Sequence, residues 1–312
     1  MTVMRASAYA PASVGNVGVG FDLLGLALDG PGDTVTAQRR EDAKVVIDAI
    51  DGVTVELPRE PHRNTAGRVA LEMIDELGLD FGVTLTIKKG IALGSGMGGS
   101  AASAVASAVA INALLTKPLT RHELLQFALK GEAVASGAIH ADNVAPSLYG
   151  GLILAPAESS PVRIPSPTGL RCVLARPALE INTRDGRAAL RSSYALGEWV
   201  RQAGHLAAFV AACYRDDTEA VGRHLVDTLI EAQRKPAIRG FDSVRDAVLG
   251  AGALACTISG SGPAMFAWCR DADAVRVDHA FERAFAAAGL PCERVNSSLD
   301  APGAKVIEAV NP

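Results

Sequence analysis

The stretch Ile91-Ala-Leu-Gly94-Ser95-Gly96-Met97-Gly98-Gly99-Ser100-Ala101-Ala102-Ser103 limits what this chain can become more than any other. Ahead of it, residues 83–88 alternate apolar and polar side chains with period two, the mark of a half-buried strand. Behind it, Ser100–Leu115 is alanine-rich and free of glycine and proline, which predicts a closely packed helix. A glycine loop between strand and helix can turn successive backbone N–H groups toward one point. The helix N-terminus adds about half a positive charge there. Such a place binds anions, phosphates above all.

Familiar phosphate motifs do not fit. The P-loop ends its glycine run in a lysine, and none stands between Gly90 and Lys117. Gly94, Gly96 and Gly99 meet the spacing of the dinucleotide fingerprint. That fingerprint needs a second strand ending in an acid, where residues 115–120 read as a turn into another helix. Gly98–Ala102 falls one glycine short of a nucleophile elbow. A glycine-rich turn with no ligand is the bland alternative.

At 312 residues, 49% hydrophobic and 21% charged, the chain has enough apolar side chains for one large or two ordinary globular domains. A net charge of −4 gives no argument for nucleic acid or a membrane surface. Five cysteines without a C-x-x-C pair read as reduced, mostly buried thiols. Residues 1–10 lack the pattern of a signal peptide, and the longest apolar stretch is too short and alanine-rich to span a bilayer. The expectation is a cytoplasmic protein.

Along the chain, residues 3–10 and 34–37 read as strands around the glycine-rich segment Pro11–Gly25, within which Asp22 interrupts an apolar run. That acid either caps a turn or points into a site. Residues 44–57 read as a hairpin, and Asn64-Thr65 as the cap of a helix ending at Gly78. Thr120-Arg-His-Glu123 is a capping box, and Glu132 falls on the apolar face of the helix it opens, with Leu125, Ala128 and Leu129. No basic residue stands three or four positions away. An inward carboxylate needs a neutralising partner, either a bound cation or a distant arginine. His140 and Asp142 lie in a predicted loop, too few for a zinc site and better suited to hydrogen-bonding a small polar ligand.

The Pro/Ser-rich run 158–169 marks a domain boundary. Beyond it, a strand at 171–176 precedes helices at about 186–197, 199–214, 217–231 and 241–251. Strands at 254–259 and 264–269, a helix at 272–288, and strands at 291–296 and 304–310 follow. The class is α+β with an antiparallel sheet. Arg187 and Arg234 alone read as surface arginines.

Three glycine motifs, Pro11–Gly25, Gly94–Ser103 and Ile258–Pro263, stand in an order that resembles the galactokinase–homoserine kinase–mevalonate kinase–phosphomevalonate kinase superfamily. Gly131-Glu132, Ser136-Gly137, His140-x-Asp142-Asn143-x-x-Pro146 and Gly150-Gly151 are most similar to its homoserine kinase family. The resemblance implies two domains: residues 1–160, ribosomal-protein-S5-domain-2-like and ATP-binding, and 161–312, ferredoxin-like, with the active site between them. It implies that Ala92, Leu93, Gly94, Ser95, Gly96, Met97, Gly98, Gly99, Ser100, Ala101 and Ala102 wrap the ATP phosphates. Asn64 lies toward the adenine, and Ser100 and Glu132 hold Mg²⁺. Asn16, Asp22, His140, Asp142, Asn143, Thr183, Arg187, Arg234 and Gly260 face L-homoserine. Asn143, Arg187 and Ser100 stand nearest the chemistry. Where the family carries Gly-Leu-Gly-Ser-Ser, this chain has Gly96-Met97-Gly98-Gly99-Ser100, without a hydroxyl at 99.

The implied reaction is phosphoryl transfer from MgATP to the homoserine hydroxyl, with no strong enzymic base because Asn143 cannot accept a proton. Homodimers are common in the family. Rival readings are a kinase for another small alcohol, a ligand sensor without turnover, and a serine hydrolase using Ser100.

Overall fold

The computed structural model describes residues 3–137 and 140–311, apart from the side chains of Ser136 and of 183–185. Its first half runs β1 (Arg5–Gly15), β2 (Leu24–Arg40), β3 (Val45–Asp51), α1 (Thr65–Leu77), β4 (Gly82–Lys88), α2 (Gly99–Asn112), α3 (Arg121–Ser136), α4 (Ala141–Tyr149) and β5 (Leu152–Leu154). The second half begins with β6 (Val162–Ile164), β7 (Leu170–Pro177), α5 (Thr183–Ala188), α6 (Leu196–Tyr214), α7 (Thr218–His224), α8 (Glu231–Arg234) and α9 (Phe241–Gly250). It closes with β8 (Ala253–Ile258), β9 (Met265–Arg270), α10 (Ala274–Ala287), β10 (Cys292–Ser298) and β11 (Lys305–Val310).

One sheet has the order β11-β1-β2-β4-β3, with β5 paired to β2 and β6 to β5. The other has the order β10-β7-β9-β8, antiparallel throughout and backed by α9 and α10. A β–α–β–β–α–β chain in that spatial order is the ferredoxin-like plan. The first sheet therefore takes β6 and β11 from beyond residue 160, and the Pro/Ser-rich run read as a domain boundary contains β6, which pairs with β5.

Helix α2 is the axis of the first half. Every residue from Ala101 to Ile111 is buried, against β1, β2, α1, α3 and α4. Its alanines and the alternate alanines of β1 (Ala6, Ala8, Ala10, Ala12, all without exposed surface) let sheet and helix approach closely. Capping follows the predicted chemistry: Asn64 opens α1, and Thr120 and Glu123 form the box that opens α3.

Three local expectations are corrected. Residues 44–57 do not form a hairpin: β3 pairs parallel to β4, with α1 as the crossover. Gly52 looks like a hairpin turn, but its left-handed φ of 85° serves a close pass of the Lys89 carbonyl, 2.0 Å from where a Cβ would stand. The helix expected over 217–231 breaks after His224, because the Asp227 carboxylate accepts the amides of Leu229, Ile230 and Glu231 at 2.9, 2.7 and 2.9 Å. His140–Asn143 is not loop but the N-cap and first turn of α4. There α4 rests on β2 at Gly25, where a Cβ would lie 1.7 Å from the Asp142 carbonyl. All five cysteines are free, and four of them are buried.

Candidate active site

The three glycine motifs meet at a cleft of about 290 Å³ lined from both halves of the chain. At one end, the loop turns its carbonyls into the protein. Gly94 O accepts from Ile181 N at 3.1 Å, Ser95 O from Ala264 N at 3.1 Å and Met97 O from Ser13 N at 3.1 Å. Gly96 O accepts from Ser259 Oγ at 2.6 Å. Gly94, Gly96 and Gly98 are left-handed, with φ of 57°, 77° and 66°. A backbone that alternates hand in this way gathers its N–H groups on one concave side, and the unpaired amides of the first turn of α2 continue it. Gly98 is doubly required, since a Cβ there would stand 2.3 Å from Ser13 Oγ and 2.8 Å from Asn143 Oδ1.

Beside the loop, Ser100 donates its hydroxyl to Glu132 Oε1 at 2.9 Å, joining α2 to α3. Burial pushes the Glu132 carboxyl up to about 7; Ser100 and Lys89 pull it back and Asp142 pushes it further up. Two hard oxygen donors at the edge of an amide cradle fit a divalent cation such as Mg²⁺.

The other end is made of side chains. Arg187 Nη2 reaches both oxygens of Asp22, at 2.6 and 2.9 Å, and His140 Nδ1 stands 3.6 Å from the same carboxylate. Asp142 accepts the Asn16 amide at 3.1 Å; burial and then the charge of Asp22 push it up to about 7. Asn16 accepts the Asp22 amide at 2.9 Å and donates to the Gly260 carbonyl at 3.0 Å. Arg234 Nη1 meets that carbonyl at 2.7 Å. His140 Nε2 and Arg234 Nε are buried with no hydrogen-bond partner among the described residues. Unsatisfied polar atoms are rare in interiors, and here both belong to residues that line the cleft. Burial holds His140 below its ordinary value, so it is neutral near pH 7, and burial followed by Arg187 works against the charge on Arg234. The second end thus holds a buried guanidinium N–H that lacks an acceptor.

Residues 64–151 match the GHMP kinases N terminal domain and residues 209–287 the GHMP kinases C terminal domain. The chain is 46% identical to a homoserine kinase of Xylella fastidiosa (strain M12) over 307 residues, covering 98% of this chain and 95% of that one. A homoserine kinase of Xanthomonas campestris pv. campestris (strain B100) is 46% identical over 97% of this chain and 94% of its own. The crystal structure of a homoserine kinase from Cytophaga hutchinsonii superposes with a TM-score of 0.93 at 39% identity, covering 97% of each chain. The chain belongs to the homoserine kinase family. A Leishmania major mevalonate kinase crystallised with R-mevalonate shares the fold, with a TM-score of 0.68 at 16% identity over 94% of this chain and 96% of that one.

In this homoserine kinase relative the cleft gathers Asn16, Asp22, Ala92 to Ser100, Glu132, His140, Asp142, Asn143, Arg187, Arg234 and Gly260. Asn64 is not among them. Its amide is spent on α1, accepting from Ala66 and Gly67 at 3.0 and 3.3 Å and donating to the Pro58 carbonyl at 2.9 Å. Ala101 and Ala102 face the core without exposed surface. The side chain of Thr183 lies outside the described residues. Arg187 and Arg234 are not ordinary surface arginines: both guanidinium groups lie over the Phe21 ring, 5.3 and 5.2 Å from its centre.

Sequence reasoning missed Phe21, Ser13 (which donates to Asn143 Oδ1 at 2.9 Å) and the cleft-lining Ile181, Asn182 and Ser261. It also missed Asp33, Lys89 and Ser103 beneath the loop. Only the Phe21-Asp22 adjacency carried a readable signal, an aromatic beside an acid in a glycine-rich turn.

Proposed function

We propose that this chain transfers the γ-phosphoryl group of ATP to the side-chain hydroxyl of L-homoserine, giving O-phospho-L-homoserine and ADP, a step toward threonine. The observation that carries the reading is the pairing of a backbone anion cradle with an acceptor pocket of acids and arginines in one cleft. An amino alcohol with an ammonium at one position and a carboxylate at another matches such a pocket. The buried Nε of Arg234 and its guanidinium fork suit the carboxylate. Asp142 receives the ammonium, which restores its charge. Asp22 is already engaged on both oxygens by Arg187, so its part is to hold that arginine.

Ser100 and Glu132 would hold Mg²⁺, for which their oxygens, 2.9 Å apart, are suited. Bound there, the ion neutralises charge on the transferring group, worth about several kcal/mol. Loop amides and the α2 N-terminus keep the terminal phosphate in place. Asn143, fixed by Ser13, orients the acceptor hydroxyl and takes no proton; the proton leaves with the phosphate or to solvent. The arrangement supplies position and charge, which is most of what phosphoryl transfer requires.

The resemblance to homoserine kinases supports work in the cytoplasm as a homodimer; among the described residues no helix is long and apolar enough to cross a membrane. Coupled ADP release over homoserine, shikimate, mevalonate and galactose, with and without Mg²⁺, tests the assignment. Mg²⁺-dependent turnover with homoserine alone is expected, and turnover only with another alcohol overturns it.

A further inference from the structure

A buried ionic cluster lies directly beneath the glycine loop, outside the cleft lining, and reaches the loop from behind through the Gly99 carbonyl. Asp33, on β2, has no exposed surface, and the Lys89 side chain is 4% exposed. One Asp33 oxygen accepts the amides of Gly90 at 3.0 Å and Ile91 at 3.3 Å, where the loop begins. The other pairs with the Lys89 ammonium and accepts the Ser103 hydroxyl at 2.6 Å. Lys89 Nζ also donates to the Gly99 carbonyl at 2.8 Å and to Ser103 Oγ at 2.9 Å, where the loop ends in α2.

The set is complete. An ammonium has three protons and a carboxylate about four acceptor positions, and here each is used once. It is also electroneutral, so it adds no net charge to the anion cradle above it. Nor is it a good stabiliser, since a buried ion pair gives no more stability than apolar side chains of the same volume. What it does uniquely is tie both ends of the loop to one carboxylate on a rigid strand.

We propose that Asp33, Lys89 and Ser103 form a clasp that sets the span of loop 92–98, so that its amides converge at the spacing of a polyphosphate. They are positioning residues for the nucleotide, and the inference rests on the reading that the loop holds ATP phosphates. A satisfied polar network gives a unique geometry where an apolar contact would allow several.

The test separates affinity from stability. In D33L/K89M the volume is kept and no charge is left buried. This variant is expected to melt within a few degrees of the wild type, raise the KM for ATP about tenfold or more, and leave the KM for homoserine within about twofold. The milder S103A removes one strut; it is expected to weaken ADP binding about threefold in calorimetry and to speed amide hydrogen exchange across 92–98. If D33L/K89M does not fold, S103A decides. ADP affinity and loop exchange unchanged in S103A, or an unchanged KM for ATP in a folded D33L/K89M, overturns the clasp while the nucleotide reading stands. Failure of the wild type itself to bind ADP overturns the nucleotide reading and the clasp with it.

Discussion

At the end of the cleft proposed to hold phosphate, one unbroken run from Ala92 to Ser100 supplies most of the lining, and it does so with backbone. At the acceptor end, Asn16 and Asp22 come from the β1–β2 turn, His140 and Asp142 from the start of α4, Arg187 from α5 and Arg234 from α8. The first end depends on chain direction and handedness, the second on side-chain identity. Triphosphate is the same in every ATP-using enzyme, and a backbone cradle suits an invariant ligand. The acceptor differs between kinases, and side chains can change one by one without disturbing the loop. Backbone strain falls on the acceptor side of this division. Val17 holds a φ of 42°, rare for a β-branched residue, beside Asn16.

The sharpest break between the two ends comes from Glu132→Gln. It keeps the shape and the Ser100 contact while removing the charge, and is expected to lower kcat/KM about a thousandfold, about 4 kcal/mol, with homoserine affinity little changed. A loss below about tenfold would show that the carboxylate serves the fold alone. Arg234→Ala acts on the other end. The KM for homoserine is expected to rise roughly a hundredfold, about 2–3 kcal/mol, while ADP binding stays as it was. Equal losses for both ligands would erase the distinction.

How much of this could be read from the sequence follows the same division. The loop, Ser100 and the inward Glu132 were legible because each signal is local: glycine spacing, a helix start, and an acid at i+3, i+4 and i+7 to an apolar stripe. The Asp22–Arg187 pair joins residues 165 positions apart, and no periodicity reports such a contact. Asp33 follows Gly30-Pro31-Gly32, which reads as a turn, yet it is a buried strand acid. The start of α4 reads as loop in the sequence, whereas the structure holds a helix that carries Pro146 within it, against Gly25 of β2. The return of β11 to the first sheet was hidden for the same reason as the ion pair, since strand partners are set by topology.

Asn143→Ala stands at the junction of the two ends and is expected to cost about tenfold in kcat, about 1.4 kcal/mol, with smaller changes in either KM. An unaltered kcat would remove its orienting role. The smallest effect is on stability. Glu132 and Asp142 keep their protons up to about 7 in the fold, against ordinary values near 4 when unfolded. Between those values the folded state binds more protons, so the free protein loses stability as pH rises from about 4 to 7 and then levels off. Melting temperature should fall by several degrees over that range, and E132Q should flatten the slope. On the proposed roles of these two carboxylates activity runs the opposite way, and kcat/KM is expected to decline as pH drops through about 7. A melting temperature that climbs steadily from pH 5 to 7 would contradict this account of the buried acids.

The most direct measurement is a crystal structure with a non-hydrolysable ATP analogue and L-homoserine bound together. The account predicts phosphate oxygens on the amides of Gly94 to Gly99, and the amino acid between Asp142 and Arg234 with its hydroxyl beside Asn143. A triphosphate bound away from that loop, or an amino acid outside the acceptor end, would contradict it.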